Sequence, residues 1–378
     1  MTNLQRPTIP PKIKIKLWTA AAGRCEFAGC NIQLWSDDLT IKKMNRSNIA
    51  HIISWTPTGP RGSISNSKKL SKDFKNLMLV CLTHGKLIDN KEYVNEYSIE
   101  KLTTFKKNHE ARIFMQTSMQ ENYKTTILRF IANIANRNVS IPIQQIQSAI
   151  DPKYPADEKG IDINFLSMDG DGDKHYWKTL AKRIKDKIHT ELLTGTDEKA
   201  IKHLSIFALG PIPLLVQLGA SIGNLIPSDL YQHHRDTDRW NWKDEDKNWK
   251  GYEVKKKKLN KNNNNIAVIL SLSGKIHEEE VLETLDVGSI YEITIKKPLP
   301  TFLNTKKALY DFQKEYRKLL TEIRQEHGIN CQINLFPAIP APIAILCGQV
   351  LLPKIDPPIL IYDNNKAKGG FKYCLTII

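Results

Sequence analysis

Four soft-metal ligands in two short-spaced pairs constrain this chain more than any other feature: Cys25-x4-Cys30 and, well downstream, Cys81-x2-His84. Zinc takes four S/N ligands in a tetrahedron, and two pairs on separate turns can supply one. The alternative is a set of buried thiols without metal. The surrounding segment, residues 1 to about 110, is rich in Gly, Ser and Asn and short of long periodic apolar stretches. A core that small needs a staple. No apolar run approaches the roughly 20 residues that cross a bilayer, and the basic, proline-broken start reads as no secretory signal. The expectation is a cytoplasmic chain with no membrane partner, whose six cysteines serve as metal ligands or buried thiols and not as disulfides.

The formal charge is +15, and it is unevenly spread. Residues 1–150 carry 22 Lys+Arg against 10 Asp+Glu, leaving 33 against 30 for the remainder. A basic front on a nearly neutral body suits a polyanionic partner, and equally a solvated basic surface.

Beyond the cysteine-bearing segment, Ile113, Ile127, Phe130, Ile131 and Ile134 recur at helical spacing, and a second short helix is expected over 143–150. DPKYPADEKG at 151–160 reads as a linker. Strand-like runs then alternate with helical ones (IDINFLS, HLSIFALG, NIAVILSLS, YEITIKK, QINLFPAI, ILIYD), the pattern of an α/β domain with a largely parallel sheet. KKKKLNKNNNN at 255–265 is expected to be an exposed loop between two α/β halves. The division is 1–110, a connector at 111–158, and 159–378. Asp169, Asp171 and Asp173 do not make a calcium loop, because Lys174 and Leu180 stand where glycine and glutamate are required. Cys331, Cys347 and Cys374 lack paired spacing and read as buried thiols. No phosphate-loop or dinucleotide signature supports a metabolic enzyme.

Between and across the two ligand pairs lie NIAHIISWTPTGPRG (48–62) and KNLMLVCLTHGKLID (75–89). This order resembles the HNH, or ββα-metal, nucleases: a zinc pair, a histidine ending a strand, an asparagine, a second zinc pair and a short helix. The resemblance implies that Cys25, Cys30, Cys81 and His84 hold a structural Zn²⁺. It also implies that His51 is a general base activating water, that Asn76 orients that water or braces the hairpin, and that a catalytic Mg²⁺ stabilises the phosphate. An imidazole with an ordinary pKa near 6.5 suits that base role; the alternative is a satisfied strand histidine. The pattern departs at Gly85, where a metal ligand commonly follows the last zinc ligand, and at Ala50, often acidic in relatives. Metal held by other groups, an attenuated or engineered nuclease, and a pure binder all remain open, as does a catalytic role for His84.

In the C-terminal part a buried strand runs into Gly210-Pro211, followed by an apolar helix and a basic, aromatic cluster. Such a turn at a sheet's carboxyl edge is a usual ligand position. His233, His234 and Arg235 offer donors, and Trp240 and Trp242 offer flat faces or core packing. FALGPIPLLVQLG, QHHR…WNW and LFPAIPAPIAILCGQVLLPKIDPPILIYD resemble the SAVED domain, a sensor related to paired CARF domains. That resemblance adds Phe207, Pro211, Phe336 and Pro337, with Ser273, Gly274 and Lys275 as a second ligand-facing turn. HNH joined to SAVED is the pairing of bacterial antiphage effectors. It implies a cyclic di- or trinucleotide ligand, ligand-induced assembly of the chain with itself as dimer or tetramer, and cutting of double-stranded DNA. The expected fold is α/β overall: a zinc-bound ββα-metal domain followed by an α/β SAVED domain of two CARF-like halves.

Overall fold

A computed structural model describes residues 6–37, 40, 42–118, 121–133, 141–166, 174–193, 200–243, 249–260, 263–365 and 369–377. The chain divides into two compact units, Met1–Gln120 and Glu121–Ile378. Both mix helices with strands.

In the first unit, helix α1 (Pro11–Ala20) opens on a proline, where the missing N–H costs no helical hydrogen bond. Strand β1 (Ser47–His51) pairs antiparallel with β2 (Leu77–Cys81), placing Ser47 opposite Cys81 and His51 opposite Leu77. Helix α2 (Ser67–Leu70) lies in the connection, α3 (Leu82–Ile88) follows β2 directly, and α4 (Ile99–Thr117) closes the unit. All five residues of β2 are buried. Met78, Leu79 and Val80 join Leu34, Ala50 and Ile52 in the core. Polar contacts tie α4 to this body. His109 Nε2 donates to the Ala21 carbonyl at 3.1 Å, and Arg112 donates to Asn31 Oδ1 at 2.7 Å. The buried Lys106 ammonium stands 3.7 Å from Glu26 and 2.7 Å from Glu110. Burial lifts the Glu26 carboxyl to about 7 against the opposing pull of Lys106.

The second unit holds two sheets. The first contains β3 (Lys124–Ala132), β4 (Tyr154–Pro155), β5 (Ile161–Phe165), β6 (Leu204–Leu209) and β7 (Ser228–Tyr231). Its order is β4-β3-β6-β7, with β5 also pairing β3, and every pair is parallel. Helices α5 (Ile143–Ile150), α6 (Lys174–Leu193) and α7 (Ile212–Ile222) accompany it. Residues 124–132, expected at helical spacing, are a strand. Most of β3 is buried on both faces, and a doubly covered strand shows a near-continuous apolar run that mimics a helix. Ile134 and the aspartates at 169, 171 and 173 lie outside the described residues. The helix expected over 143–150 is α5, and the segment read as a linker contributes β4.

The second sheet contains β8 (Glu253–Lys258), β9 (Asn265–Ser271), β10 (Ser289–Thr294), β11 (Gln332–Ala338), β12 (Ile359–Asn365) and β13 (Gly370–Ile377), in the order β13-β12-β11-β9-β10-β8. Its four central strands are parallel and its two edges antiparallel. Helices α8 (Glu278–Leu282), α9 (Lys306–His327) and α10 (Ala341–Gln349) complete it. Of the lysine-rich run read as a loop, 255–258 belong to edge strand β8, and the described residues from there to β9 carry no regular structure. Lys255 pairs with Glu292 at 3.3 Å, Lys256 with Glu322 at 3.2 Å and Lys257 with Glu278 at 2.5 Å, and Lys258 pairs with Glu326. Lysines on an exposed edge also discourage pairing with another chain.

One cluster of buried side chains spans the facing sides of both sheets together with α6, α7, α9 and α10. At its centre α7 and α10 approach through glycines. A Cβ on Gly219 would lie 1.8 Å from the Ile345 carbonyl oxygen, and one on Gly348 would lie 2.0 Å from that of Val216. Each helix follows a strand through a proline, β6 through Pro211 and β11 through Pro340. Among the described residues no helix is long and apolar enough to cross a membrane.

Candidate functional site

The zinc-type ligands converge. Backbone turns fold residues 25–30 into a knuckle, with Cys25 N donating to the Ile32 carbonyl at 3.1 Å and Cys30 N to that of Phe27 at 3.0 Å. Cys81 ends β2 and caps α3, whose first turn carries His84. The ligand atoms of Cys25, Cys30, Cys81 and His84 all lie within 4.8 Å of one another. His84 Nδ1 is 3.1 Å from Cys81 Sγ and 3.8 Å from Cys25 Sγ. Zn–S bonds of about 2.3 Å and Zn–N bonds of about 2.0 Å in a tetrahedron put ligand atoms roughly 3.5–3.8 Å apart. Phe27 stacks on the His84 ring at 4.0 Å and 6°, which fixes its orientation. Burial pushes the Cys25 thiol up, so a thiolate there needs a cation beside it. The residues fit zinc.

His51 ends β1 and is 5% exposed. Its Nε2 lies 2.9 Å from the Ser71 carbonyl, an acceptor only, so Nε2 carries the proton and Nδ1 holds the lone pair. Among the described residues nothing hydrogen-bonds that Nδ1. Burial, partly offset by the bond to Ser71, lowers the pKa of the ring and keeps it neutral near pH 7. Asn76, just before β2, spends its amide on the loop: Oδ1 accepts from Ile53 N at 2.8 Å, and Nδ2 donates to the carbonyls of Ile53 at 2.9 Å and Leu70 at 3.1 Å. Of the two roles open to it, the geometry is that of a brace.

The donors for a Mg²⁺ beside His51 do not fit. Ala50 and Gly85 have none, and the Asn48 amide stands against Gly85, where a Cβ would meet its Nδ2 at 2.2 Å. Asp89 is paired with Arg61 at 2.8 Å. Among the described residues the cysteine cluster is the one convergence of three or more His, Cys, Asp or Glu ligands.

In the second unit the expected ligand residues divide by burial. Phe207 stacks on Tyr231 at 4.4 Å and meets the edge of Trp240 at 5.2 Å, all three buried in a cluster with Ile146 and Ile150 of α5. Phe336 stacks on Tyr362 at 4.6 Å in another buried cluster, and Pro337 beside it is also buried. Trp242 is half-buried and donates to the Leu230 carbonyl at 3.2 Å. His234 is buried, its imidazole held neutral by that burial. His234 Nε2 and Trp240 Nε1 lack a hydrogen-bond partner among the described residues. Pro211, His233, Ser273 and Gly274 are half-buried, and Arg235 and Lys275 are exposed. Ser273 N donates to the Ala338 carbonyl at 2.6 Å, bringing the turn after β9 to the carboxyl end of β11.

Sequence reasoning passed over Arg61 and the Glu26–Lys106 pair. A lone arginine in a Gly/Pro-rich loop carries no local signal, and the ion pair joins residues far apart in the chain.

The family described as SMODS-associated and fused to various effectors sensor domain (SAVED) matches residues 184–377, just over half the chain. No curated protein matches. Among solved structures, the Cap4 SAVED/CARF-domain containing receptor of Acinetobacter baumannii with the cyclic trinucleotide 2'3'3'-cAAA is similar at 11% identity, over 82% of this chain and 66% of that one, with a TM-score of 0.47. The same receptor with 3'3'3'-cAAA gives 11% identity, 83% and 67% coverage and a TM-score of 0.46. The Moraxella osloensis Cap4 receptor gives 11%, 76%, 60% and 0.42. The chain thus spans about two thirds or less of the length of these receptors.

Proposed function

Because this chain belongs to the SAVED family of sensor domains fused to effectors, we propose that its second unit senses a cyclic di- or trinucleotide and its first unit is the effector, an HNH-type endonuclease that cuts double-stranded DNA in antiphage defence. The observation that carries the effector reading is the ordered geometry of the first unit: His51 at the end of β1, antiparallel β2, and α3, with the Cys25/Cys30/Cys81/His84 cluster at their junction.

His51 Nδ1 takes a proton from water as the water oxygen bonds to phosphorus. The bond from phosphorus to the leaving oxygen breaks, and that oxygen keeps the electron pair and takes a proton from solvent. Zinc, when bound by the cluster, holds the knuckle to α3 as a structural ion. Asn76 fixes the loop that carries the Ser71 carbonyl and so the tautomer of His51. The excess of basic residues in 1–150 suits a DNA backbone. No step is assigned to Mg²⁺.

In the sensor, the reading places ligand contacts at the strand carboxyl edges, with Pro211, Ser273, Lys275, Arg235 and Trp242 accessible. Phe207, His234, Trp240, Phe336 and Pro337 support those edges from beneath. The two proline-headed helices, α7 and α10, support the reading of two CARF-like halves. Assembly of the chain with itself on ligand binding would bring two nuclease units to one duplex.

The test mixes the full chain with plasmid DNA, Mg²⁺ and a panel of cyclic nucleotides. Cutting with one of them, and its loss in His51→Ala with nucleotide binding retained, is the expected result. Cutting by His51→Ala at the wild-type rate sinks the assignment. A second reading, a binder that grips DNA or a partner without cutting it, draws on Gly85 and Ala50. Retained DNA binding with no cleavage under any nucleotide favours it.

A further inference from the structure

Arg61 sits in the connection between β1 and β2 with φ of 53°, a conformation that costs a non-glycine residue energy. Its side chain is 6% exposed. From there Nε donates to the Ile52 carbonyl at 2.6 Å, Nη1 to that of Ile88 at 2.7 Å, and Nη2 to Asp89 Oδ1 at 2.8 Å. Nη2 also reaches the His51 carbonyl at 3.4 Å. The acceptors are the end of β1 and the C-terminal end of α3, the two element ends that frame His51. Carbonyls and a carboxylate gathered round a cation are the donor set a hard divalent ion takes. Here a guanidinium holds it.

The two positions where the nuclease pattern carries metal ligands offer none. Ala50 and Gly85 offer no donor, and the neutral Asn48 amide stands against Gly85. A divalent ion approaching Asp89 meets a positive charge already bonded to that carboxylate, and is repelled. Arg6, which donates to the Ile49 carbonyl at 2.6 Å, adds a second guanidinium whose charge reaches His51. One carboxylate against two guanidiniums leaves the site net positive, as a phosphate requires.

We propose that Arg61 is the resident cation of this site, holding the Asp89 carboxylate and the backbone carbonyls at the end of β1 that a divalent metal would otherwise draw on, so that the site binds and acts on phosphodiesters without one. The proposal rests on the reading of His51 as a phosphodiester site.

Mn²⁺ titrated into the zinc-loaded full chain in place of Mg²⁺, followed by loss of the free-ion paramagnetic signal, tests the placement independently of activity. The expected result is no stoichiometric uptake up to about 1 mM. One Mn²⁺ per chain that is released by Asp89→Asn overturns the proposal. Arg61→Gln frees Asp89 and is expected to raise Mn²⁺ affinity about tenfold or more, whereas Arg61→Lys keeps the charge and shows no gain. Equal uptake by the two variants overturns the placement; if Arg61→Gln does not fold, the wild-type titration decides alone. Cleavage is read separately, with Mg²⁺ present or simply omitted so that zinc stays bound. Rates within about twofold are expected, and a drop of about a hundredfold without Mg²⁺ overturns the proposal. Absence of cutting in every condition counts against His51 as the base and leaves the Mn²⁺ titration to decide the cation.

Discussion

At the residue scale the first unit depends on a few side chains that hold several elements each. Cys81 is at once the last residue of β2, the cap of α3 and a member of the zinc-type cluster. Metal analysis of the purified chain should give about one zinc per molecule, and Cys81→Ser should lose it along with the fold of this unit. Lys106 is the next such residue: its loss leaves the Glu26 carboxylate, whose side chain is fully buried, without its cation. Because burial already lifts the Glu26 carboxyl to about 7, Lys106→Met should lower stability by about 1–3 kcal/mol at pH 8 and by less at pH 6, where the carboxyl is protonated, read as a shifted denaturant midpoint. His51 sets a pH expectation. Its lowered pKa means that the neutral, proton-accepting form persists below the ordinary histidine value near 6.5. Cutting should hold down through pH 6.5 and fall only below it, and a profile already halved above pH 6.5 counts against His51 as the base.

At the element scale, two features of the second unit carry distinct expectations. The α7–α10 contact tolerates no side chain at the crossing, since a Cβ at Gly219 or Gly348 would enter the carbonyl oxygen of the facing helix. Gly219→Val should cost about 1–3 kcal/mol or more, seen as a lower melting temperature. Strand β8 makes the opposite point, because its four consecutive lysines resemble a nucleic-acid patch in composition alone. Each pairs with a carboxylate, Lys255 with one on β10 and the others with ones on α8 and α9, and with Lys256 and Lys258 beside it the Glu326 carboxyl falls to about 2. Replacing all four with glutamine should therefore leave DNA affinity within about twofold in a salt-controlled titration. Exposed pairs of this kind add little stability, so the fold should survive the change.

At the scale of the whole molecule, each unit has its own buried clusters, and the zinc-type ligands belong to the first alone. Calorimetry of the chain with and without zinc should show one transition that moves and one that does not. A single transition that shifts as a whole would make the two units one cooperative body.

The sequence by itself determined six strands of the sensor, β5, β6 and β9 to β12, the helical stretches between them, and the identity of the zinc-type cluster. Those signals are local: apolar runs bounded by Gly and Pro, a 3.6-residue period, and cysteines a turn apart. His51 and Asn76 were legible from their order relative to that cluster. Only the tertiary structure decided that residues 124–132 are a central strand, because burial on both faces erases the alternation that marks one. It alone turned the lysine run into a neutralised edge, buried Phe207, Trp240 and Phe336 in core clusters, and gave Asn76 to its loop. It also brought Arg61 to Asp89 across 28 positions of chain. Side-chain partners so far apart are chosen by how elements pack, and packing leaves no periodic trace in the order of residues.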